Sequence, residues 1–197
     1  MPVIWGIVLA AGLGRRIGGP KALLSLDGRT FLERAVRAFT EAGLEVVVVV
    51  NPVVDAAVPK GALSARLVVN PDPDQQNGMF GSVRLGVCEA LKLGARGALL
   101  LPVDLPLVTS EDVRAVVTRL NAGAAVVVAT HAGRRGHPIG ISRAVMDEVV
   151  TDPSTTTLRD IVRKDPARVV EVPVSVGAIT GVNTREDLDR ASNRTFR

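Results

Sequence analysis

The chain has 197 residues, of which 47% are hydrophobic and only 3% aromatic, and its formal net charge is +4. That length and apolar share exclude a disordered chain and suit one globular domain over residues 1–197, with a core of Val, Leu, Ala and Ile. Basic residues are interleaved with acids, with no basic run or aromatic stacking set, which speaks against nucleic acid as a partner. No apolar run reaches membrane-spanning length, so no membrane partner is expected.

The N-terminal apolar residues lead straight into a glycine loop, so Val3 to Ala10 reads as a buried first strand rather than a leader. Asp27-Gly28 is a turn signal. Thr30 with Glu33 has the spacing of a capping box, and Phe31, Leu32, Ala35, Val36 and Phe39 share the face of the helix that follows. Gly43 ends that helix. Val46 to Val50 is a continuous β-branched run, as in a strand covered on both faces. Leu67 to Asn70 reads as a short strand, Asn70 to Gly78 as a loop and Ser82 to Leu93 as a helix. Cys88 cannot form an internal disulfide, which suits a reducing cytoplasm. It is expected as a small buried hydrophobe on the helix with Val83, Val87 and Leu91.

Gly97 to Val103 is a strand ending in Asp104, and Thr109 or Ser110 caps a helix to Leu120. Ala124 to Ala129 and Ile139 to Ile141 are strands. Ser142 to Val150 and Thr155 to Lys164 are helices, Arg168 to Val172 is a strand, and Thr184 caps a last helix with Asp187 in support. The alternation predicts a three-layer α/β/α sandwich with a mostly parallel, Rossmann-like sheet. In such sheets ligands bind beyond the carboxyl ends of the strands. The informative loops therefore follow Ala10, Val50, Asn70, Val103 and Val182.

The loop from Leu9 to Lys21 is dense in Gly, Arg and Lys. Glycines let backbone N–H groups approach phosphate oxygens, and the cations compensate charge. The dinucleotide pattern G-x-G-x-x-G fits Gly12 and Gly14 but meets Ile17 at its third place, and the second strand ends in Asn51 rather than an acid. A Walker loop fits Gly14 and Gly19 but meets Pro20 where its lysine belongs, and Ala22 offers magnesium no hydroxyl. Asp104, delivered by an apolar strand to the ligand edge of the sheet, is a candidate metal ligand. Asn51 and Asn70 follow strands at that edge and read as turn residues or base contacts. Ser82, placed at a helix start, reads as an N-cap or a ligand contact.

The stretch L-A-A-G-L-G-R-R-I-G-G-P-K resembles the L-A-A-G-x-G-x-R-x-G-x-P-K signature of the MobA-like NTP transferase family, which belongs to the nucleotide-diphospho-sugar transferases. The resemblance implies that the backbone of Leu9, Ala10, Ala11, Gly12 and Gly14 holds base and phosphates, with Arg16 and Lys21 on the triphosphate. Arg15 falls at a variable position. Asp104 corresponds to the family's D-x-P metal ligand. Asn183, in G-V-N-T-R-E-D-L, corresponds to the second ligand of a catalytic Mg²⁺. The segments Asn77-Gly78-Met79-Phe80-Gly81-Ser82 and Gly136-His137-Pro138 resemble molybdenum cofactor cytidylyltransferases in particular. Thr155-Thr156-Thr157 departs from their G-D-x-G-A segment, which leaves the acceptor open.

A cytoplasmic nucleotidyltransferase is thus expected. It takes an NTP, CTP ahead of GTP, and a small phosphorylated acceptor of molybdopterin type, and a molybdoenzyme or its chaperone is implied as partner. The alternatives are a sugar-phosphate or alditol-phosphate nucleotidyltransferase, a non-catalytic nucleotide-binding regulator or cofactor chaperone, and, outside these, a dehydrogenase.

Overall fold

Residues 3–72, 78–152 and 157–195 are described by the structure, a computed structural model, except for the side chains of Arg16 and residues 193–195. In chain order the elements are β1 (Ile4–Ala10), β2 (Ser25–Leu26), β3 (Arg29–Thr30), α1 (Phe31–Glu41), β4 (Glu45–Val50), α2 (Pro52–Ala57), β5 (Arg66–Val69) and α3 (Gly78–Lys92). They continue with β6 (Gly97–Pro102), α4 (Ser110–Asn121), β7 (Val126–His131), β8 (Arg134–Ser142), α5 (Arg143–Thr151), α6 (Leu158–Lys164), β9 (Val169–Pro173) and α7 (Arg185–Thr195).

Seven strands form one sheet in the order β5-β4-β1-β6-β8-β7-β9. β8 runs antiparallel to β6 and β7; the other pairs are parallel. Period-2 alternation splits the core into two layers. Val8, Val48 and Leu101 face α1 and α4, while Ile7, Val49 and Leu100 face α3 and α5. Both faces of β1, β4 and β6 are covered, which is why those strands read as unbroken apolar runs.

The helices begin where the sequence caps them. Thr30 and Glu33 exchange both bonds of a capping box at α1, and Thr109 with Asp112 does the same at α4. Asp27 and Gly28, at φ 51° and 78°, make the tight turn between β2 and β3. Both backbones are left-handed, as a two-residue hairpin of this kind requires.

Four expectations are corrected. α3 begins at Gly78, so Ser82 lies a turn inside the helix and caps nothing. Cys88 is half-buried rather than enclosed in the core, because it sits at the margin of the α3 face that carries Val83 and Val87. β8 runs from Arg134 to Ser142 rather than from Ile139 to Ile141, so Gly136-His137-Pro138 belongs to the strand. The β7–β8 hairpin turns on Ala132 and Gly133 at φ 48° and 75°, and an alanine gives little warning of such a turn. α6 starts at Leu158 with Thr157 as its cap, and Thr155 and Thr156 lie outside the described residues. No helix among the described residues is long and apolar enough to cross a membrane.

Candidate active site

The chain crosses from β1 to β4 on one side and reaches β6 on the other, so the carboxyl end of β1 is a switch point where a crevice opens. A cleft of about 610 Å³ lies there. Leu9, Ala11, Gly12, Gly14, Lys21, Ser82, Asp104 and Asn183 line it, with Arg15, Ile17, Gly78, Met79, Pro102 and Val103. Eight residues singled out in the sequence are therefore brought together from four separated segments.

Three of them meet directly. Lys21 Nζ donates to Asp104 Oδ2 at 3.0 Å and to Asn183 Oδ1 at 2.6 Å. One ammonium thus sits between two oxygens that come from the middle and the C-terminal part of the chain. The ion pair is largely shielded, with the Lys21 side chain 17% exposed and that of Asp104 29% exposed.

Each member has a local reason for its place. Asp104 lies two residues beyond β6, and its carbonyl accepts the Val182 N–H at 2.8 Å, which ties the Asn183 segment to the aspartate loop. Asp187 Oδ2 accepts from the backbone N–H of Asn183 and of Thr184, each at 3.0 Å, and Thr184 Oγ1 accepts from the Asp187 N–H. The cap expected for the last helix therefore also fixes Asn183 and leaves its side chain for the cleft. These backbone N–H groups, that of Asn183 first, hold the Asp187 carboxyl below its ordinary value.

The glycine loop is shaped by its own backbone. The Gly14 carbonyl accepts from the N–H of Ile17 at 3.0 Å and of Gly19 at 3.2 Å. A Cβ at Gly14, whose φ is 61°, would strike the Gly19 carbonyl, whereas one at Gly12 would meet open space. Gly14 closes the loop, and Gly12 leaves backbone accessible to the cleft. The backbone of Arg16 lies in a short 3-10 turn; its side chain is outside the described residues.

Three predicted residues lie off the cleft lining. Ala10 is buried on the α1 side of the sheet. Asn51 is fully buried. Its Nδ2 donates to the Ala11 carbonyl at 3.0 Å, and its Oδ1 accepts from Val54 N–H at 2.9 Å as the cap of α2. It braces the glycine loop from behind. Asn70 is buried and donates from Nδ2 to Ser82 Oγ at 3.0 Å.

Asp112 stands three residues after Thr109, the spacing of a capping box, but nothing in the local pattern points to its longer-range bonds. This carboxylate is 4% exposed and caps α4. It also accepts from the backbone N–H and the hydroxyl of Ser175, both at 2.8 Å. It thereby anchors the strap that carries the chain towards Asn183. His137 stands near Asp104, and burial lowers its pKa to about 4 although the aspartate pulls it upward. The imidazole is neutral at physiological pH.

Asp104 and Asn183 offer one carboxylate and one amide oxygen converging on a single cation. Hard oxygens of this kind fit Mg²⁺, which usually takes one or two protein ligands and completes its shell with phosphate and water. Among the described residues no group of three or more His, Cys, Asp or Glu side chains could hold a metal. A larger protein-only metal cage is not built from them.

Residues 6–169 match the family described as MobA-like NTP transferase domain. The molybdenum cofactor cytidylyltransferase of Escherichia coli (strain K12) is 24% identical over 194 residues, covering 98% of each chain. The nicotine blue oxidoreductase of Paenarthrobacter nicotinovorans is 33% identical over 160 residues, covering 77% of this chain and 76% of its own. Among solved structures, a nucleotidyl transferase from Methanothermobacter thermautotrophicus superposes with a TM-score of 0.78 at 24% identity, covering 99% of this chain and 98% of its own.

Proposed function

Because the chain belongs to the family of MobA-like NTP transferases, we propose that its cleft moves a nucleoside monophosphate from an NTP to a phosphorylated acceptor and releases pyrophosphate. The observation that carries this reading is the convergence of Lys21, Asp104 and Asn183 beside the glycine loop. CTP is favoured ahead of GTP, and a molybdopterin-type compound is favoured as acceptor. The full-length likeness to a molybdenum cofactor cytidylyltransferase supports the acceptor, and the Asn77 to Ser82 and Gly136 to Pro138 segments of the sequence support CTP.

In this reaction an oxygen of the acceptor phosphate attacks the α-phosphorus. The bond from that phosphorus to the β-bridging oxygen breaks, and pyrophosphate leaves. No covalent enzyme intermediate is needed, so the chain contributes position and charge. Asp104 and Asn183 would hold Mg²⁺, which would supply charge neutralisation on the reacting phosphates. Backbone N–H groups around Gly12 face the phosphates, and Lys21 leaves its two oxygens to bind the β- and γ-phosphates. Arg16 is proposed to join Lys21 there. Neutral His137 brings no positive charge to compete for Asp104.

A second reading comes from the oxidoreductase relative. Two features weigh against a dinucleotide here. Ile17, itself a core residue, stands at the third glycine place, and Asn51 is buried with its amide already engaged. The deciding experiment is a pyrophosphate-release screen in Mg²⁺ that crosses CTP, GTP, UTP and ATP with molybdopterin and a panel of sugar and alditol phosphates, beside an NADH-oxidation arm. Release with a molybdopterin pair supports the proposal, and release with a sugar phosphate moves the acceptor. NADH turnover without release overturns it.

A further inference from the structure

Asn70 and Ser82 form a buried pair on the α3 side of the cleft, 6% and 3% exposed. α3 packs over β1 and β4, whereas Asp104 follows β6 on the other side of β1. The pair therefore lies across the glycine loop from the charged end, where Lys21 and Asp104 meet.

The hydrogen bonds of this pair have a fixed direction. The Asp72 N–H donates to Asn70 Oδ1 at 3.2 Å. A backbone N–H needs an acceptor, so this bond decides which end of the amide carries oxygen. Nδ2 must then point at Ser82 Oγ, 3.0 Å away, and the hydroxyl must accept. Its own proton remains to be donated, and no acceptor among the described residues takes it. Ser82 lines the cleft beside Met79, which is 64% exposed and offers an apolar, adaptable surface of the kind a nucleobase lies against.

We propose that Asn70 is a positioning residue that fixes the Ser82 hydroxyl as a hydrogen-bond donor into the cleft, serving an acceptor atom on the nucleoside part of the bound nucleotide. This rests on the nucleotidyltransferase reading and adds a polarity to it. An aspartate at position 70 would still accept from Asp72 N–H, but it would take the Ser82 proton instead of supplying one. The hydroxyl would then turn a lone pair to the cleft and meet the ligand acceptor with like polarity.

The test is titration calorimetry in Mg²⁺ of the preferred NTP and of tripolyphosphate, which carries the charge but no nucleoside. The quantity read is the ratio of the two affinities, which cancels any charge effect common to both ligands. Asn70→Asp should lower that ratio about tenfold and the neutral Asn70→Leu about threefold. In a Ser82→Ala background neither substitution should lower it further. A ratio unmoved in both single variants, or one that Asn70→Asp still lowers without the Ser82 hydroxyl, overturns the inference and leaves the transferase reading standing. A wild-type protein that binds none of the four NTPs overturns the transferase reading, and this inference with it.

Discussion

Lys21 occupies the point where a metal held by Asp104 and Asn183 would sit, so its ammonium and a divalent cation compete for the same two oxygens. Lys21→Met should therefore tighten Mn²⁺ binding in the absence of nucleotide by about tenfold while weakening NTP binding, because the phosphates lose a cation. Equal Mn²⁺ affinity in calorimetry would remove Lys21 from the metal position. His137 gives a pH dependence of definite sign. Its pKa falls from 6.5 to about 4 on folding. Between those values the unfolded chain binds the extra proton, so stability is full above pH 6.5 and declines as pH drops towards 4. Thermal melts across that range should show the decline in the wild type and a shallower one in His137→Gln. At this scale the sequence was legible where a residue's place follows from a strand end, as for Asp104, which lines the cleft. It was not legible for Asn51, whose amide is turned inward by the cap it makes.

The helices and straps hold these side chains where they act. α3 lies flush on the sheet because Gly86 has no Cβ; one added there would stand 2.5 Å from Ile7 Cγ2. Gly86→Ala should lift the helix that carries Ser82 and Met79 and cost about 1–3 kcal/mol, read as a lowered melting temperature together with weaker NTP binding. A melting temperature and NTP affinity both at wild-type level would show that α3 has room to give. Asp112 joins α4 to Ser175 through two part-buried bonds. Removing it as Asp112→Ala should cost roughly 3 kcal/mol, since a helix cap and two charge-assisted bonds are lost together. An unfolding midpoint in urea unchanged from wild type would show the strap to be held by its apolar contacts alone. Caps were readable at Thr30 and Thr184, where the partner lies three residues away, and at α4 as one of Thr109 and Ser110, of which Thr109 is the cap. The bond from Asp112 to Ser175 spans 63 positions, and local pattern carries no trace of it.

The whole molecule is a sheet with a switch point at β1, and the parallel half of it was the part that the sequence announced. Runs such as Val46 to Val50 are buried on both faces and have no other reading at that length. The antiparallel β8 is inserted between β6 and β7, and only its Ile139 to Ile141 part was read as a strand, because its start carries the polar Arg134 and Arg135. The site was divided differently: Asp104, beyond parallel β6, lines the cleft, Asn51 and Asn70, beyond β4 and β5, are buried off its lining, and the Asn70–Ser82 pair needed the true start of α3. The cleft gathers a carboxylate, an amide oxygen, a lysine and open backbone at one strand edge, and the proposed transfer of a nucleotide rests on that convergence. The most direct measurement is pyrophosphate release in Mg²⁺ with CTP and molybdopterin, comparing wild type with Asp104→Ala. The account predicts release by the wild type and a loss of about a hundredfold to a thousandfold in a variant that remains folded. Release at the wild-type rate in Asp104→Ala would contradict it.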